Sequence, residues 1–188
     1  MIKVNIGREP SLSGWVNVVW RPSAHSLETQ APPWSLPAPT GSAECVLIEW
    51  VFERLHPRRE AVGTLQEALR VLAPGGVLRV VTLDLDKVME AYRNDALRQF
   101  GAARWPGWYS DASPCIQLSA HLFGTGDGPT YGGALVVYNV AGLIRSLGAA
   151  GFVSVRRERP NESRCEVIRR EIRDRWTDTS LIVEGLRP

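Results

Sequence analysis

The order of apolar and polar residues along the chain predicts strands near both ends and in the middle. Ile2–Ile6 alternates and stops at Gly7, as a short strand would, and Val16–Val19 is a second candidate. Residues 45–48 form a continuous apolar run between acids, which is typical of a strand buried on both faces. Three further strand candidates come later in the chain: residues 77–81, residues 152–155 and Ser180–Leu186.

A helical pattern lies between the third and fourth of these strands. Four apolar residues recur at spacings of three, four and three, which predicts one apolar stripe of a helix: Val62, Leu65, Leu69 and Leu72. The run Pro74-Gly75-Gly76 would end this helix.

Two more helices are predicted from their capping residues. Asp84 or Asp86 can cap a helix that carries Val88 and Ala91. Asn139 can cap a helix that carries three apolar residues and ends at Gly151: Leu143, Ile144 and Leu147. Residues 21–43 are rich in proline and serine and predict a long irregular connection, while residues 101–133 show no clear period.

Strands that alternate with helices predict an α/β fold with a mostly parallel sheet flanked by helices, which is a Rossmann-like arrangement. The 188 residues suffice for one domain with its own core, and no repeat or linker divides them. We therefore expect residues 1–188 to form a single domain, in which residues 101–133 are a variable insertion.

Composition and charge narrow the function classes. The net charge is +2, which gives no electrostatic argument for a nucleic-acid partner. No run approaches the roughly 18 apolar residues of a membrane helix, and the N-terminus does not resemble a signal peptide. We expect a cytoplasmic protein without a membrane or nucleic-acid partner. The oligomeric state stays open.

Cysteine and histidine give no sign of a metal site. The three cysteines are far apart and odd in number, so we expect thiols and treat Cys45 as a small core residue: Cys45, Cys115 and Cys165. The three histidines are likewise unclustered.

From residue 156 to residue 175 there are eight arginines against five acids. Because Glu166 and Glu171 precede Arg170 and Arg175 by four residues, we expect a solvated helix face with ion pairs rather than an anion-binding patch.

Ligands of open parallel sheets bind beyond the carboxyl ends of the strands, so the residues that follow each strand are candidates. Gly7 could allow a ligand to approach the backbone, or it could be a plain turn. Glu49 could contact a cofactor or substrate, or it could cap the next turn. Arg8 could pair with a carboxylate or face solvent. The chain has no GxGxxG, phosphate-binding loop or nucleophile elbow.

Several blocks carry a family resemblance. Residues 4–7 (VNIG) and 14–18 (GWVNV) are similar to "LNIGCG…GWINVD", and residues 44–55 to "FDVIYSSHVLEHL". Residues 70–80 (RVLAPGGVLRV) are close to "RVLKPGGRLRI", and residues 138–143, 150–152 and 180–184 match a late helix and two late strands. In these blocks the chain resembles a class I S-adenosylmethionine-dependent methyltransferase. The resemblance implies that the last strand is antiparallel to its neighbours.

The resemblance also implies a function and a site. It implies methyl transfer from S-adenosylmethionine to a small-molecule or glycan-type acceptor in a bacterial biosynthetic pathway. Residues 101–133 would cover the substrate, and His121 and Tyr131 in that insertion are candidate general bases. The implied cofactor-binding residues are Asn5, Gly7, Arg8, Ser26, Leu27, Glu49 and Trp50.

The chain departs from the family's pattern at the cofactor site. Arg8-Glu9 replaces the Cys-Gly of the glycine-rich loop, and Val19 stands where the family has an acid that holds the ribose hydroxyls. A short connection replaces the usual first helix between the first two strands. These departures keep an alternative open: a methyltransferase-like protein that has lost methyl transfer and serves as a binding or scaffolding partner, or that uses the pocket for other chemistry.

Overall fold

A seven-stranded sheet organises the protein, as a computed structural model shows. The structure describes residues 1–7, 10–19, 29–100, 107–124 and 134–188. The strands lie in the order β3-β2-β1-β4-β5-β7-β6. Their bounds are Ile2–Ile6 (β1), Val16–Val19 (β2), Thr29–Gln30 (β3), Ala43–Glu49 (β4), Leu72–Leu83 (β5), Val153–Arg157 (β6) and Ser180–Leu186 (β7).

The strand directions confirm the expected sheet, which is mostly parallel and has an antiparallel last strand. Strands β1 to β5 pair in parallel with one another, whereas β7 pairs antiparallel with both β5 and β6. The last strand is therefore antiparallel to its neighbours, as the resemblance implied. Every strand predicted from the sequence is present, and β3 is an addition inside the segment expected to be irregular.

The described residues contain five α-helices: Glu60–Val71 (α1), Leu85–Arg93 (α2), Pro114–Phe123 (α3), Val140–Ala150 (α4) and Glu166–Glu171 (α5). The predicted caps of α2 and α4 are confirmed, because Asp84 accepts a hydrogen bond from the Asp86 amide and Asn139 accepts one from the Gly142 amide. The aperiodic segment 101–133 nevertheless contains α3, which begins after the capping residue Ser113.

The stripe predicted for the first helix was wrong. Val62 is 43% exposed, and Leu72 lies beyond the helix as the first residue of β5. The buried stripe is shifted by one position and contains smaller residues: Ala61, Thr64, Leu65, Ala68 and Val71. Pro74-Gly75-Gly76 does not end the helix either, since it lies within β5. Small side chains at these positions let the helix lie close to the sheet, which a count of large apolar residues does not register.

The two faces of the sheet are covered differently. One face, the α1/α4 face, packs Val46, Ile48 and Val80 against apolar residues of α1 and α4 such as Leu65 and Leu147. The opposite face, the α5 face, packs the other residues of the same strands against Trp15 and against the connection from β6 to β7, residues 158–179, which contains α5. Its apolar residues are Trp15, Cys45, Leu47, Val77, Val81, Cys165, Ile168, Ile172 and Ile182.

A buried ion cluster fastens this connection to the sheet. Arg79 of β5 donates to Glu184 of β7 at 2.7 Å and to Asp174 of the connection at 2.6 Å, and all three side chains are at most 2% exposed. Arg79 also donates to the main-chain oxygen of Glu162 at 2.8 Å. A charge of this kind is stable inside a protein only because it is paired and hydrogen-bonded.

The ion pairs expected within one helix face are not the ones that form. Glu171 binds Lys3 of β1 at 2.8 Å, and Arg175 binds Glu49 of β4 at 3.0 Å. The charged residues of α5 are exposed, as expected, but the predicted pairs Glu166–Arg170 and Glu171–Arg175 are absent from the described contacts. Because α5 ends at Glu171, Arg175 lies beyond the helix and reaches a distant strand instead.

Candidate functional site

The strand order predicts a ligand crevice at the carboxyl edge of the sheet. The order reverses between β1 and β4, and ligands of open α/β sheets bind at such a reversal, where the connections leave toward opposite faces. Gly7 follows β1, and Glu49 and Trp50 mark the end of β4. The structure thus brings together three of the residues that the sequence predicted to bind a cofactor.

Gly7 is required by packing at this edge. Its φ is +88°, a left-handed conformation that favours glycine. A Cβ atom added to Gly7 would lie 2.2 Å from Cγ2 of Val51 and 2.7 Å from the main-chain oxygen of Glu49. The absent side chain lets the end of β1 lie against the segment that follows β4. The described contacts explain the glycine without a ligand.

Glu49 is held by a cation from the far end of the chain. Its carboxylate is 2% exposed and accepts from Nε and Nη2 of Arg175, at 3.2 and 3.0 Å, across 126 positions of sequence. The Arg175 side chain is 33% exposed, so the pair bridges the buried edge and the solvent. The negative charge at the end of β4 is therefore compensated by the protein itself.

Trp50 forms an aromatic pair beside this ion pair. Its ring meets the ring of Trp176 edge to face, with the centroids 5.3 Å apart, and the Arg175 guanidinium lies 4.8 Å from the centre of the Trp176 ring. Both tryptophans have positive φ, 57° for Trp50 and 53° for Trp176. Backbone strain of this kind in residues with side chains concentrates at functional sites.

Asn5 and Val19 occupy structural positions. Asn5 is 1% exposed and donates to Oδ1 of Asn17 at 2.8 Å, and Asn17 in turn accepts from the Leu12 amide. This chain of bonds holds the connection between β1 and β2 in place. Val19 ends β2 with a partly buried apolar side chain, which cannot accept hydrogen bonds from a ribose.

The remaining cofactor candidates, Arg8, Ser26 and Leu27, lie outside the described residues, and so does the candidate base Tyr131. Their roles stay predictions. Among the residues that the structure does describe, no three histidine, cysteine or acidic side chains are grouped so that they could hold a metal ion. In the same part of the chain, no helix is long and apolar enough to cross a membrane.

The hydrogen bonds of His121 favour a structural role. The Tyr109 hydroxyl donates to the main-chain oxygen of Leu97 at 3.0 Å, so its proton is already used. Nε2 of His121 lies 2.7 Å from the same hydroxyl, so this ring nitrogen is engaged in a buried hydrogen bond with Tyr109. The side chain is also 7% exposed and packs against Phe100.

Glu53 is a buried acid that the sequence argument did not select. It is 4% exposed and accepts from Oγ1 of Thr82 at 2.9 Å, and burial raises the pKa of its carboxyl group. Its main-chain oxygen accepts from the amides of Leu135 and Val136, so the residue joins the sheet to the segment before α4. Glu53 also contributes, after burial, to a pKa of about 12 for Tyr138.

Arg175 and Trp176 were also missed, although a signal for them exists. They lie five and four residues before β7, and β7 is antiparallel to β5. The start of an antiparallel strand lies beside the carboxyl end of its neighbour. The expectation of an antiparallel last strand was therefore enough to place these residues at the ligand edge.

Comparisons with known proteins agree with this topology. No protein-family model matches the chain, and no curated protein matches it. Among solved structures, a Thermotoga maritima S-adenosylmethionine-dependent methyltransferase, described as a possible histamine N-methyltransferase, is 14% identical with a TM-score of 0.53. That alignment covers 100% of this chain and 82% of the other.

Two further methyltransferase structures align over the whole chain. A complex of the Haloferax volcanii Trm112 methyltransferase activator with a putative methyltransferase gives a TM-score of 0.50 at 13% identity, covering 82% of the matched chain. PigF with S-adenosylhomocysteine gives 0.50 at 13% identity, covering 56% of PigF. The chain spans 35% of the length of the methyltransferase SibL, to which it is 20% identical. The strand order, the antiparallel last strand and the three alignments with TM-scores of 0.50 or more together show that the chain has the class I S-adenosylmethionine-dependent methyltransferase fold.

Proposed function

We propose that the chain is a cytoplasmic S-adenosylmethionine-dependent methyltransferase that acts on a small-molecule or glycan-type acceptor in a bacterial biosynthetic pathway. The observation that carries the proposal is the strand-order reversal, at which Gly7, Glu49 and Trp50 meet in a methyltransferase fold. A small acceptor is in keeping with the Thermotoga maritima protein, whose possible substrate is histamine. Residues 101–133 would cover the acceptor.

The described residues fit the cofactor in part. The half-buried indoles of Trp50 and Trp176 offer aromatic surface to a planar base, whereas the Arg175 guanidinium is already paired with Glu49. Val19 does not fit, because it leaves the ribose hydroxyls without an acceptor at the end of β2. Each missing hydrogen bond to a charged acceptor costs about 1.5–3 kcal/mol.

The protein's contribution to the reaction would be positioning. When bound, the cofactor supplies a methyl group on a sulfonium sulfur. Glu49 and Arg175 neutralise each other at the crevice, so the edge does not place an uncompensated charge beside the reactants. Orientation of the reactants and exclusion of water are the main needs of such a transfer.

A second candidate function is favoured by a specific observation. The acid at the end of β4 is engaged by the chain's own Arg175, and the acid expected at the end of β2 is replaced by Val19. Both features suit a protein that has lost methyl transfer and keeps the fold as a binding or scaffolding partner. Because a fold does not determine a function, binding of the cofactor decides between the two.

Titration calorimetry with S-adenosylmethionine and S-adenosylhomocysteine is the direct test. Saturable binding at micromolar concentrations supports the methyltransferase. Absence of binding at millimolar concentrations contradicts it and leaves the second candidate.

A carboxylate restored at the end of β2 sharpens the test. We expect Val19→Asp to tighten S-adenosylmethionine binding tenfold or more, since one recovered hydrogen bond to a charged acceptor is worth about 1.5–3 kcal/mol. Val153→Asp is the matched control, because Val153 is 44% exposed on β6 and lies at the other edge of the sheet. A folded Val19→Asp protein with unchanged affinity would show that the crevice no longer holds a ribose.

A further inference from the structure

A groove runs along the outer side of α1. Its volume is about 630 Å³, which is within the range of sites that hold a small ligand. One wall is Trp34, which belongs to the connection between β3 and β4. Among the residues that the structure describes, its lining does not include Gly7, Glu49 or Trp50, so the groove is separate from the carboxyl edge of the sheet. Its floor is a stripe of α1 that differs from the buried stripe: Arg59, Glu60, Gly63, Gln66, Glu67 and Arg70.

Trp34 lies against α1 at a glycine. A Cβ atom added to Gly63 would lie 3.1 Å from Cβ and 3.8 Å from Cγ of Trp34. Trp34 is partly buried and packs against the apolar residues of the α1/α4 face. Gly63 therefore allows the tryptophan to approach the helix closely. The indole gives the groove an aromatic wall, which suits a flat ring.

One end of the groove is fixed by an ion pair. Glu67 accepts from the amide of Leu36 at 2.8 Å and from Nη2 of Arg70 at 2.7 Å. Arg70 also donates to the main-chain oxygen of Ala38 at 2.9 Å and to Oγ1 of Thr40 at 3.1 Å. These contacts hold the connection that carries Trp34 against α1. The groove is therefore formed by the protein itself, and the charges at this end already have partners.

The other end of the groove carries a cation that the protein does not neutralise. Arg59 is exposed, and among the described residues its guanidinium has no hydrogen-bond or ion-pair partner. The adjacent acid, Glu60, accepts instead from the amide of His56 at 2.8 Å. A guanidinium presents two parallel N–H donors, which match the two oxygens of a carboxylate. This end of the groove therefore suits a carboxylate.

We propose that the groove is a second ligand site, which binds an aromatic carboxylate with its ring against Trp34 and its carboxylate on Arg59. Arg59 and Gly63 lie four positions apart, and residues at this spacing on a helix are neighbours about 5–6 Å apart. Because Trp34 packs at Gly63, the cation and the aromatic wall are close enough for a ring that bears its carboxylate directly. An inorganic anion would leave the indole unused, and an uncharged ring would leave the guanidinium unused. The proposal does not depend on methyl transfer.

The test uses 2-naphthoate as the probe and measures its binding to the whole protein by NMR titration. We expect saturable binding at millimolar concentrations or below. Naphthalene-2-carboxamide keeps the ring without the charge, and cyclohexanecarboxylate keeps the charge without the aromatic face, so both should bind more weakly. Saturation with S-adenosylhomocysteine should leave the affinity for 2-naphthoate unchanged, because the residues of the carboxyl edge do not line the groove.

Two variants complete the design. Arg59→Gln removes the guanidinium and should weaken the binding of 2-naphthoate about tenfold, through the loss of a charge-assisted contact. Arg58→Gln is the matched control and should leave the affinity unchanged, because Arg58 is an adjacent exposed arginine that does not line the groove. Both side chains are exposed, so both variants should fold.

Three outcomes would overturn the proposal. The first is the absence of saturation at roughly 10 mM 2-naphthoate, a concentration at which even a weak site is filled. The second is equal affinity in the two variants, which would mean that Arg59 does not hold the carboxylate. The third is displacement of 2-naphthoate by S-adenosylhomocysteine, which would place the probe at the carboxyl edge of the sheet. Failure to bind S-adenosylhomocysteine would contradict the proposed methyltransferase function and would leave this site untouched.

Discussion

The two faces of the sheet are built from different chemistry. Against the α1/α4 face lie two regular helices, which present apolar side chains to an apolar sheet. Against the α5 face lies a connection with one six-residue helix, and there the sheet contributes Arg79, Asn5 and Glu49 beside its apolar residues. The comparison teaches that a regular helix can be held by burial alone. An irregular cover, with more main-chain groups to satisfy, is positioned by directional polar contacts.

Removal of the central cation should produce the largest effect. Arg79→Leu would leave Asp174 and Glu184 buried without their partner, and removing one member of a buried ion pair costs about 3–5 kcal/mol. Urea denaturation would measure this loss. Arg156→Leu is the matched control, because Arg156 is 59% exposed and pairs with Glu158, so a far smaller loss is expected. Equal losses in both variants would remove the distinction between the faces.

A truncation on the α1/α4 face should cost somewhat less. Leu147 of α4 is fully buried, and Leu147→Ala should destabilise the protein by about 2–4 kcal/mol through lost burial and a cavity. The control is Leu135→Ala, since Leu135 is 63% exposed and a surface change of this kind stays within about 0.5 kcal/mol. The loss should be insensitive to salt. A strong salt dependence would mean that this face, too, relies on charge.

Glycine substitutions can test how tightly the carboxyl edge of the sheet is packed. Gly7→Ala combines a strained φ with a collision against Val51 and should cost about 1–3 kcal/mol more than Gly75→Ala. Gly75 has a similar φ of +77°, with no atom within 4 Å of an added Cβ, so it isolates the cost of the backbone conformation. Thermal unfolding of both variants gives the difference. A result near zero would show that Val51 moves aside freely.

The smallest effect concerns pH on the α5 face. Hydrogen bonds from Lys3 and from Trp15 lower the pKa of Glu171 to about 2. Because its folded pKa is depressed, its stabilisation is complete above the unfolded value of about 4.3 and is lost as the pH falls toward 2. The side chain is 27% exposed, so we expect about 0.2–1 kcal/mol between wild type and Glu171→Gln at pH 6. The two unfolding curves should converge near pH 2, and a constant gap would contradict this assignment.

The same contrast decides how much could be predicted from sequence. The strands and the caps Asp84 and Asn139 were predictable because alternation, apolar runs and capping are local signals. The buried stripe of α1 was misplaced, since Ala61 and Ala68 pack as well as larger residues but weigh little in an apolar pattern. Local rules therefore predicted the strands, but they did not predict which residues of α1 are buried.

Local rules could not predict the polar contacts of the α5 face. They also could not predict that Arg175 and Trp176 belong to the candidate site. Arg79 pairs with residues 95 and 105 positions away, and Glu49 with Arg175 across 126. No periodicity links such residues, because their proximity is created by the return of the chain across the sheet. The family resemblance placed Gly7, Glu49 and Trp50 at the crevice, but the partners of Glu49 and Trp50 come from a connection that the motifs do not include.

The place of β7 in the sheet has a consequence for the order of folding. Although β7 is the last strand in sequence, it lies between β5 and β6 and pairs with both. Until residues 180–186 have been synthesised, β5 and β6 lack their common neighbour, and Arg79 lacks Glu184. Strands β1, β4 and β5 can assemble early on a growing chain, whereas the sheet closes only through contacts of large sequence separation, which form slowly. During synthesis, the exposed edge of β5 is therefore the part of the sheet most open to wrong pairing.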